Sequence, residues 1–160
     1  MRQPLVVAFG IAVVIVAAVV GAVLYMQKGA HLELEGKILK VRTAPLDENN
    51  SVAVLDFRLT DISDVEFDVR QVTVTLEDRD GKTTGGITIS ASDTEHLFQN
   101  LPLLGEKYNP VLIARNRIAP HATADYMVAV AFSIPQNRLE ARKSFTISVD
   151  EVDGVVSQIK

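Results

Sequence analysis

The hydropathy pattern is dominated by one uninterrupted apolar stretch near the start of the chain, residues 4–26 (PLVVAFGIAVVIVAAVVGAVLYM). None of these 23 residues is charged. A helix of that length extends roughly 35 Å and crosses a hydrocarbon core of about 30 Å with some tilt. Backbone amides in lipid must be paired within their own segment, so a helix is the only solution for a single segment. The pattern predicts a transmembrane helix, acting as a signal anchor, over residues 4–26.

A cleaved signal peptide is the main alternative to an anchor. The small residues before and at Ala22 satisfy the rule for cleavage after that position. The apolar region is, however, longer than the 7–15 residues typical of a signal peptide. The length therefore favours a retained anchor in a single-pass membrane protein.

The charges that flank the apolar stretch do not fix its orientation. Arg2 precedes it, and four cations follow it within 16 residues: Lys28, Lys37, Lys40 and Arg42. The positive-inside rule applied literally would place the C-terminal domain in the cytoplasm. Three of those cations nevertheless lie inside the first predicted strand, and a short N-terminal tail before one anchor is the usual signal-anchor arrangement. We expect the domain to be extracytoplasmic, in the periplasm or on the outer face of the cytoplasmic membrane.

After a short linker, residues 27–31, the pattern changes to alternation of apolar and polar positions with a period of two, which is typical of strands. The alternation slips near Ile38 and again at Arg70-Gln71, and each slip predicts a bulge. Residues 126–134 are apolar on both faces, which predicts a central strand. The predicted strands are 31–42, 51–60, 65–76, 83–90, 126–134 and 145–149, with a short one at 111–113.

Turn and capping signals complete the prediction of an all-β fold. Asp80-Gly81 indicates a hairpin turn, because both residues tolerate positive φ angles. Ser92 and Glu95 have capping-box spacing and predict one short helix at about 93–100, which ends before Pro102. Residues 43–50 and 117–125 are predicted loops, and 155–160 is either a tail or a short last strand. The expected architecture over residues 32–154 is an antiparallel β-sandwich with one short helix.

Four segments carry a resemblance to known β-sandwiches. They are FRLTDISD (57–64), VTLEDRDGK (74–82), IAPHATADYMVAVAFSIP (118–135) and FTISVD (145–150). Their order resembles the membrane-anchored immunoglobulin-like sandwiches of bacteria and is similar to the water-stress sandwich of the late-embryogenesis-abundant type. Asp61, where Asn is usual, and His121, where Gly commonly follows the Pro, depart from that pattern. The resemblance implies a non-catalytic domain of the bacterial envelope.

Charge and composition narrow the range of partners. All 20 acidic residues but only 15 of the 16 basic ones follow residue 26, so this part of the chain has a net charge of −5. An acidic body argues against non-specific binding to nucleic acid or anionic lipid, because both rely on Lys and Arg. The chain has no cysteine, which excludes disulfides, thiol chemistry and cysteine-based zinc sites.

The polar residues suggest few sites of chemistry. The three histidines, His31, His96 and His121, are scattered and form no metal-binding motif, and no nucleophile elbow or phosphate loop is present. Two acidic groups suggest calcium binding as a hypothesis, although their simplest interpretation is a solvated rim of loops. The first group is Asp61, Asp64, Glu66 and Asp68. The second is Asp150, Glu151 and Asp153, with Glu77, Asp78 and Asp80 predicted at the same end of the sandwich. One basic group suggests docking of a phosphate-bearing ligand, and the alternative is that these residues are simply a solvated surface. The group is Arg115, Arg117, Arg138, Arg142 and Lys143.

These patterns predict a function without catalysis. We expect a membrane-anchored binding or scaffold module whose partners are the lipid bilayer and an envelope protein, with no nucleic acid. The alternative is a carrier that holds a small apolar ligand or lipid between the sheets. No catalytic, cofactor-binding or metal-binding residue is assigned, and no enzyme activity or cofactor is expected.

Overall fold

The structure is a computed structural model that describes residues 13–22 and 33–160. Residues 13–22 are helical (α1), and all of their side chains are exposed. This helix and the β-sheet body belong to separate compact units. Among the described residues, no helix combines the length and hydropathy needed to cross a membrane. The rest of the predicted anchor (4–12 and 23–26) and the linker 27–31 lie outside the described residues.

The body consists of two antiparallel β-sheets, which confirms the predicted β-sandwich. The first sheet has the order β1-β2-β7-β5, and the second has the order β4-β3-β8-β9, with β6 paired to β3. The strands are β1 (Leu34–Pro45), β2 (Ser51–Asp61), β3 (Phe67–Glu77), β4 (Thr83–Gly85), β5 (Ile87–Thr88), β6 (Arg117–Ile118), β7 (Thr123–Phe132), β8 (Ser144–Glu151) and β9 (Val156–Ile159). The helices are α2 (Ala91–Asn100), a 3-10 turn (Pro102–Leu104) and α3 (Gln136–Glu140).

The main core lies between the inner faces of the two sheets, as the alternation of apolar and polar residues predicts. Every second residue of β2 from Ala53 to Leu59 is fully buried there, and every second residue of β8 from Phe145 to Val149 is buried opposite. Phe57, Phe67 and Phe132 are the largest of the buried side chains. Since full burial of one such side chain contributes roughly 1.5–3 kcal/mol, this layer is the main stabilising element of the body.

Both predicted bulges are present. The register of β1 against β2 shifts between Ile38 and Lys40, and that of β3 against β8 shifts between Val69 and Gln71. The hairpin turn is also confirmed, with Gly81 at φ +80° between β3 and β4. The predicted central strand, β7, lies between β2 and β5, and both of its faces are buried over Met127–Val130.

The predicted strand 83–90 is wrong as a single strand. It divides at Gly86, because β4 pairs with β3 in one sheet and β5 pairs with β7 in the other. The chain therefore crosses between the sheets at Gly86. A Cβ added there would collide with Val130 and would lie 2.8 Å from the ring of Phe132, so the crossing is tight enough to require glycine.

Several shorter predictions also need correction. Residues 111–113 form only one parallel bridge, between Val111 and Met127, because Pro110 precedes them and the chain turns away after Leu112. The predicted loop 117–125 contains β6 and the start of β7. The predicted loop 43–50 is shorter, since β1 continues to Pro45. Residues 156–159 form strand β9, and α3 had no counterpart in the prediction.

A helical flap, residues 91–104, covers the outer face of the first sheet. Its apolar side chains pack on the outward residues of β1, β2 and β7, forming a second apolar cluster with Val52, Val54 and Met127. The N-cap is Ser90 rather than the predicted Ser92, since the Ser90 Oγ accepts a hydrogen bond of 3.1 Å from the Asp93 backbone N–H. The first sheet is thus apolar on both faces beneath the flap.

Candidate binding groove

Two chain crossings on one side of the sandwich define the candidate site. The first crossing is the β4–β5 segment. The second is segment 110–118, which bonds to β7 at Met127: the Met127 N–H donates to the Pro110 carbonyl and the Leu112 N–H to the Met127 carbonyl, both at 2.9 Å. The segment then bonds to β3 at Val69, whose carbonyl accepts from the Arg115 N–H at 2.7 Å.

Between the crossings, β3 has a stretch of edge that no strand covers. On this edge β6 pairs with Phe67–Asp68 and β4 pairs with Thr75–Glu77, so residues 70–73 lie beside neither strand. The Thr88 hydroxyl donates to the Val72 carbonyl at 3.0 Å across the gap. The gap is the side slot, a cavity of about 260 Å³ lined by Arg70, Gln71, Val72, Thr88, Ile89, Ser90, Leu112, Ile113 and Ala114.

A second cavity adjoins the side slot and is lined by three arginines. It has a volume of about 380 Å³ and shares Arg70 and Ala114 with the slot. We call it the arginine pocket and the two cavities together the groove. Its remaining lining residues are Asp68, Val69, Arg115, Arg117 and Val152.

Local irregularities of the backbone place two of these arginines. Arg70 is the extra residue of the β3 bulge. Arg115 has a φ of +71°, a conformation that is costly for a residue with a Cβ and that often occurs at binding sites. A turn holds it there: the Ile113 N–H donates to the Asn116 side chain at 2.8 Å, and the Asn116 N–H donates to the Ile113 carbonyl at 3.2 Å.

Ion pairs at the rim neutralise the arginines only in part. The Arg117 Nε lies 3.1 Å from Asp68, and the Arg70 Nη2 lies 3.6 Å from Asp150. The two arginine side chains are 69% and 55% exposed, and exposed pairs contribute only about 0–1 kcal/mol, so an incoming anion can replace them. Among residues 33–160, Arg115 forms no ion pair, and its guanidinium is available to an acceptor.

The structure divides the basic group that the sequence suggested. Arg115 and Arg117 lie together in the groove, where Arg70 joins them. Arg70 was missed because 45 positions separate it from Arg115, although the register slip at Arg70-Gln71 marked its irregular backbone. The other three residues lie near the opposite end of β3: Lys143 bonds Glu77 at 2.6 Å, Arg138 approaches Asp78, and Arg142 stacks on Phe145.

The acidic groups form no metal site in the described part of the chain. No three acidic or histidine side chains are placed there to hold a metal ion. Asp61 and Glu151 are buried at one end of the sandwich, and burial, followed by the nearby Asp153, Asp68 and Asp61, raises the pKa of Glu151. Glu77 and its turn lie at the opposite end from Glu151, contrary to the prediction, since Glu77 pairs with Ser144 at the start of β8.

The histidines do not come together in the described residues. His96 lies on α2, and His121, at φ +58°, contacts Asp64 at 2.9 Å on the surface. His31 lies outside the described residues. Because three arginines line it and Arg115 has no ion pair within the described structure, the groove is the candidate functional site.

No family model matches the chain, and no curated protein matches it. Among solved structures, an uncharacterized β-sandwich protein from Clostridium difficile 630 is 14% identical, with a TM-score of 0.42 over 80% of this chain and 85% of that one. The archaellum periplasmic stator protein FlaG from Sulfolobus acidocaldarius is 12% identical, with a TM-score of 0.35 over 78% and 96%. A conserved hypothetical protein from Bacillus anthracis is 11% identical, with a TM-score of 0.36 over 82% and 100%. At these values the likenesses concern the fold alone.

Proposed function

We propose that this protein is a single-pass, membrane-anchored β-sandwich that binds a protein partner of the cell envelope through the groove. The observation that carries the proposal is the convergence of Arg70, Arg115 and Arg117 on one cavity. Arginines are favoured at protein interfaces because a guanidinium combines planar hydrogen bonding with an apolar face. We also propose that the sandwich is of the immunoglobulin-like or water-stress type, as the sequence resemblance implies.

The apolar N-terminal segment supports the membrane-anchored part of the proposal. The described portion, α1, contains no charged residue, and its valine and isoleucine side chains are exposed. A continuous exposed apolar surface is unfavourable in water and needs lipid or protein around it. The uncharged stretch 4–26 is long enough for lipid to supply that surrounding. The proposal places the β-sheet body on the extracytoplasmic side, as expected for the usual signal-anchor arrangement.

The proposal is non-catalytic and differs from the carrier alternative in where the ligand binds. A carrier needs an open apolar space between the sheets. In the described body, Leu55, Phe57, Val128 and Ile147 fill that layer and are fully buried, while the cavities of the groove open at the side. The carrier hypothesis has no supporting observation, and the groove is the better place to look for a partner.

Site-specific photocrosslinking of the full chain in native membranes tests the proposal. A photoreactive residue at position 113, at the edge of the groove, is compared with one at position 46, in the β1–β2 loop. Ile113 is 44% exposed and Leu46 is 43% exposed, so the two probes are matched for accessibility. We expect a protein adduct of one defined mass from position 113 only. We also expect the adduct to disappear when Arg115→Glu and Arg117→Glu are introduced.

The same experiment has a clear contrary result. Recovery of the uncrosslinked chain alone from position 113, or equal labelling from both positions, would overturn the proposal. Thermal unfolding of each variant serves as the control for folding, since all the changed side chains are exposed and the β-sheet hydrogen bonds are unaltered.

A further inference from the structure

We infer that the groove recognises a short peptide segment in which an aliphatic residue lies next to acidic residues. This inference rests on the proposed function and specifies the chemistry of the partner. It follows from three features of the groove: an apolar slot, an arginine pocket that adjoins it, and closed ends that limit the length of a bound segment.

The side slot fits one aliphatic side chain. Its walls include Val72, Leu112 and Ile113, and its volume is about 260 Å³. Ile113 is partly exposed and would be covered by a bound aliphatic group. Burial of a Leu or Val side chain supplies binding free energy that is independent of charge.

The arginine pocket fits a carboxylate better than a phosphate. Guanidinium groups bind carboxylates with two parallel hydrogen bonds, and Arg115 has no competing ion pair among the described residues. Asp68 lies in the pocket, and Glu66 and Asp150 contact the arginines at its rim. Those acids pair with Arg70 and Arg117, so Arg115 is the arginine of the pocket that has no ion pair within the described structure. One unpaired guanidinium matches a singly charged carboxylate.

The dimensions of the gap limit the length of a bound segment. Residues 70–73 of β3 span about 13 Å at roughly 3.3 Å per residue, and both crossings close the ends of that span. A span of that length accommodates two to four residues of a bound peptide. Because Arg70 and Ala114 line both cavities, neighbouring residues of such a segment reach the slot and the arginine pocket together.

A displayed library of random heptapeptides, selected on the full chain in phosphatidylcholine nanodiscs, tests the inference. We expect enrichment of Asp or Glu within two positions of Leu, Ile or Val. A peptide made from the enriched pattern is expected to lose at least tenfold in affinity when its acidic residues become Asn and Gln, or when its aliphatic residue becomes Ser. Fluorescence anisotropy measures each affinity.

Variants of the protein locate the binding. Arg115→Glu with Arg117→Glu is expected to weaken the peptide at least tenfold, and Ala114→Trp is expected to do the same by filling the junction of the two cavities without changing charge. Arg79→Glu, in the exposed β3–β4 turn, is the matched control and is expected to have less than a twofold effect. Thermal unfolding verifies that each variant is folded.

Four results would overturn the inference: no enriched peptide, enrichment without the acidic and aliphatic pattern, equal binding to the groove variants, or groove-dependent binding of inorganic phosphate in place of peptides. Nanodiscs with added anionic lipid distinguish a lipid headgroup from a peptide. If crosslinking from position 113 still yields a protein adduct while one of these results is found, the proposed function stands and only the partner chemistry is wrong.

Discussion

Two carboxylates occupy inner-face positions that the strand alternation would assign to the core. Asp61 follows Leu59 by two residues in β2, and Glu151 follows Val149 by two in β8, at the same end of the sandwich. Asp61 is 1% exposed and Glu151 is 3% exposed, and the Oδ2 of Asp61 and the Oε2 of Glu151 have no hydrogen-bond donor within the described structure. The Asp61 Oδ1 accepts from the Ser63 backbone N–H at 2.8 Å, whereas burial of a carboxylate oxygen without a donor is unfavourable.

The first prediction concerns the charge of Glu151. Burial raises its pKa above the ordinary value of 4.5, with contributions from Asp153, Asp68 and Asp61. A carboxyl group whose pKa is raised by folding stabilises the folded state most below its unfolded pKa, and that contribution is lost as the pH rises through the folded pKa. Glu151→Gln is therefore expected to increase the free energy of unfolding at pH 7.5, by about 1 kcal/mol, and to change it little at pH 4.

Urea unfolding at the two pH values measures this effect. Glu48→Gln, in the exposed β1–β2 loop, is the control and is expected to leave stability unchanged at both. A stabilisation by Glu151→Gln that is larger at pH 4 than at pH 7.5 would show that the sign of the linkage is wrong.

The second prediction concerns Gly86, where the chain passes between the sheets. Gly86→Ala places a methyl group against Val130 and Phe132, and these buried side chains must shift to accommodate it. We expect a loss of about 1–3 kcal/mol of stability, which is typical of overpacking. Gly85→Ala is a matched control, because a Cβ there meets nothing within 4 Å. Equal melting temperatures for the two variants would contradict the tight crossing.

At the level of elements, the helical flap is held by a buried ion pair beneath it. The Arg42 Nη2 lies 2.7 Å from the Asp56 Oδ2, and the Arg42 Nη1 donates to the backbone carbonyls of Leu104 and Glu106 at 2.8 and 2.6 Å. The Asn109 side chain donates to the other oxygen of Asp56 at 2.9 Å. The guanidinium also stacks on Phe98. One arginine of β1 thus connects the sheet to α2, through Phe98, and to the C-terminal end of the flap, through Leu104.

The third prediction is that Arg42→Met destabilises the body strongly. It leaves Asp56 buried without its main partner, which typically costs about 3–5 kcal/mol. The double variant Arg42→Met with Asp56→Leu removes both charges and is expected to be more stable than Arg42→Met alone. Arg58→Met, on the exposed pair with Asp125, is the control and is expected to have a much smaller effect. Urea unfolding compares these variants with the wild type and with Asp56→Leu alone, and an additive double variant would contradict the coupling.

The sequence predicts the parts of this fold that depend on local periodicity. The alternation in β2, β7 and β8 records which residues face the core, and the two slips in that alternation became the bulges of β1 and β3. The alternation does not indicate which of the two sheets a short strand joins. Residues 83–85 and 87–88 belong to one continuous stretch, TTGGIT over 83–88, and only the close packing of Gly86 against Val130 and Phe132 marks the point where the chain changes sheets. Likewise, Arg42 has the pattern of an exposed residue until the flap, 50 positions later, covers it.

At the scale of the molecule, the candidate groove also depends on contacts between segments that are distant in sequence. Arg115 and Arg117 are neighbours in sequence and were singled out with three other cations. Only the second crossing brings them to the bulge that carries Arg70. A site assembled by two crossings and a register shift leaves no motif of fixed spacing, whereas the proposed anchor is predicted from 23 consecutive residues.

The last prediction concerns that anchor. Replacing Val16 and Val20 with Lys in the full chain introduces two charges near the middle of the apolar stretch, each costing about 2.5–3.5 kcal/mol of insertion free energy. We expect the wild-type chain to remain in the membrane pellet after alkaline extraction and the double Lys variant to be released. Leu at both positions is the matched control and is expected to stay in the pellet.

Two further measurements separate the alternatives to a retained anchor on the extracytoplasmic side. Intact mass decides whether the chain is cleaved after Ala22, because cleavage would remove the whole of α1 and release a shorter protein. Protease added to intact spheroplasts should digest the β-sheet body if it lies outside the cytoplasmic membrane. Protection of the body from protease, with an intact N-terminus, would place the groove and its partner in the cytoplasm.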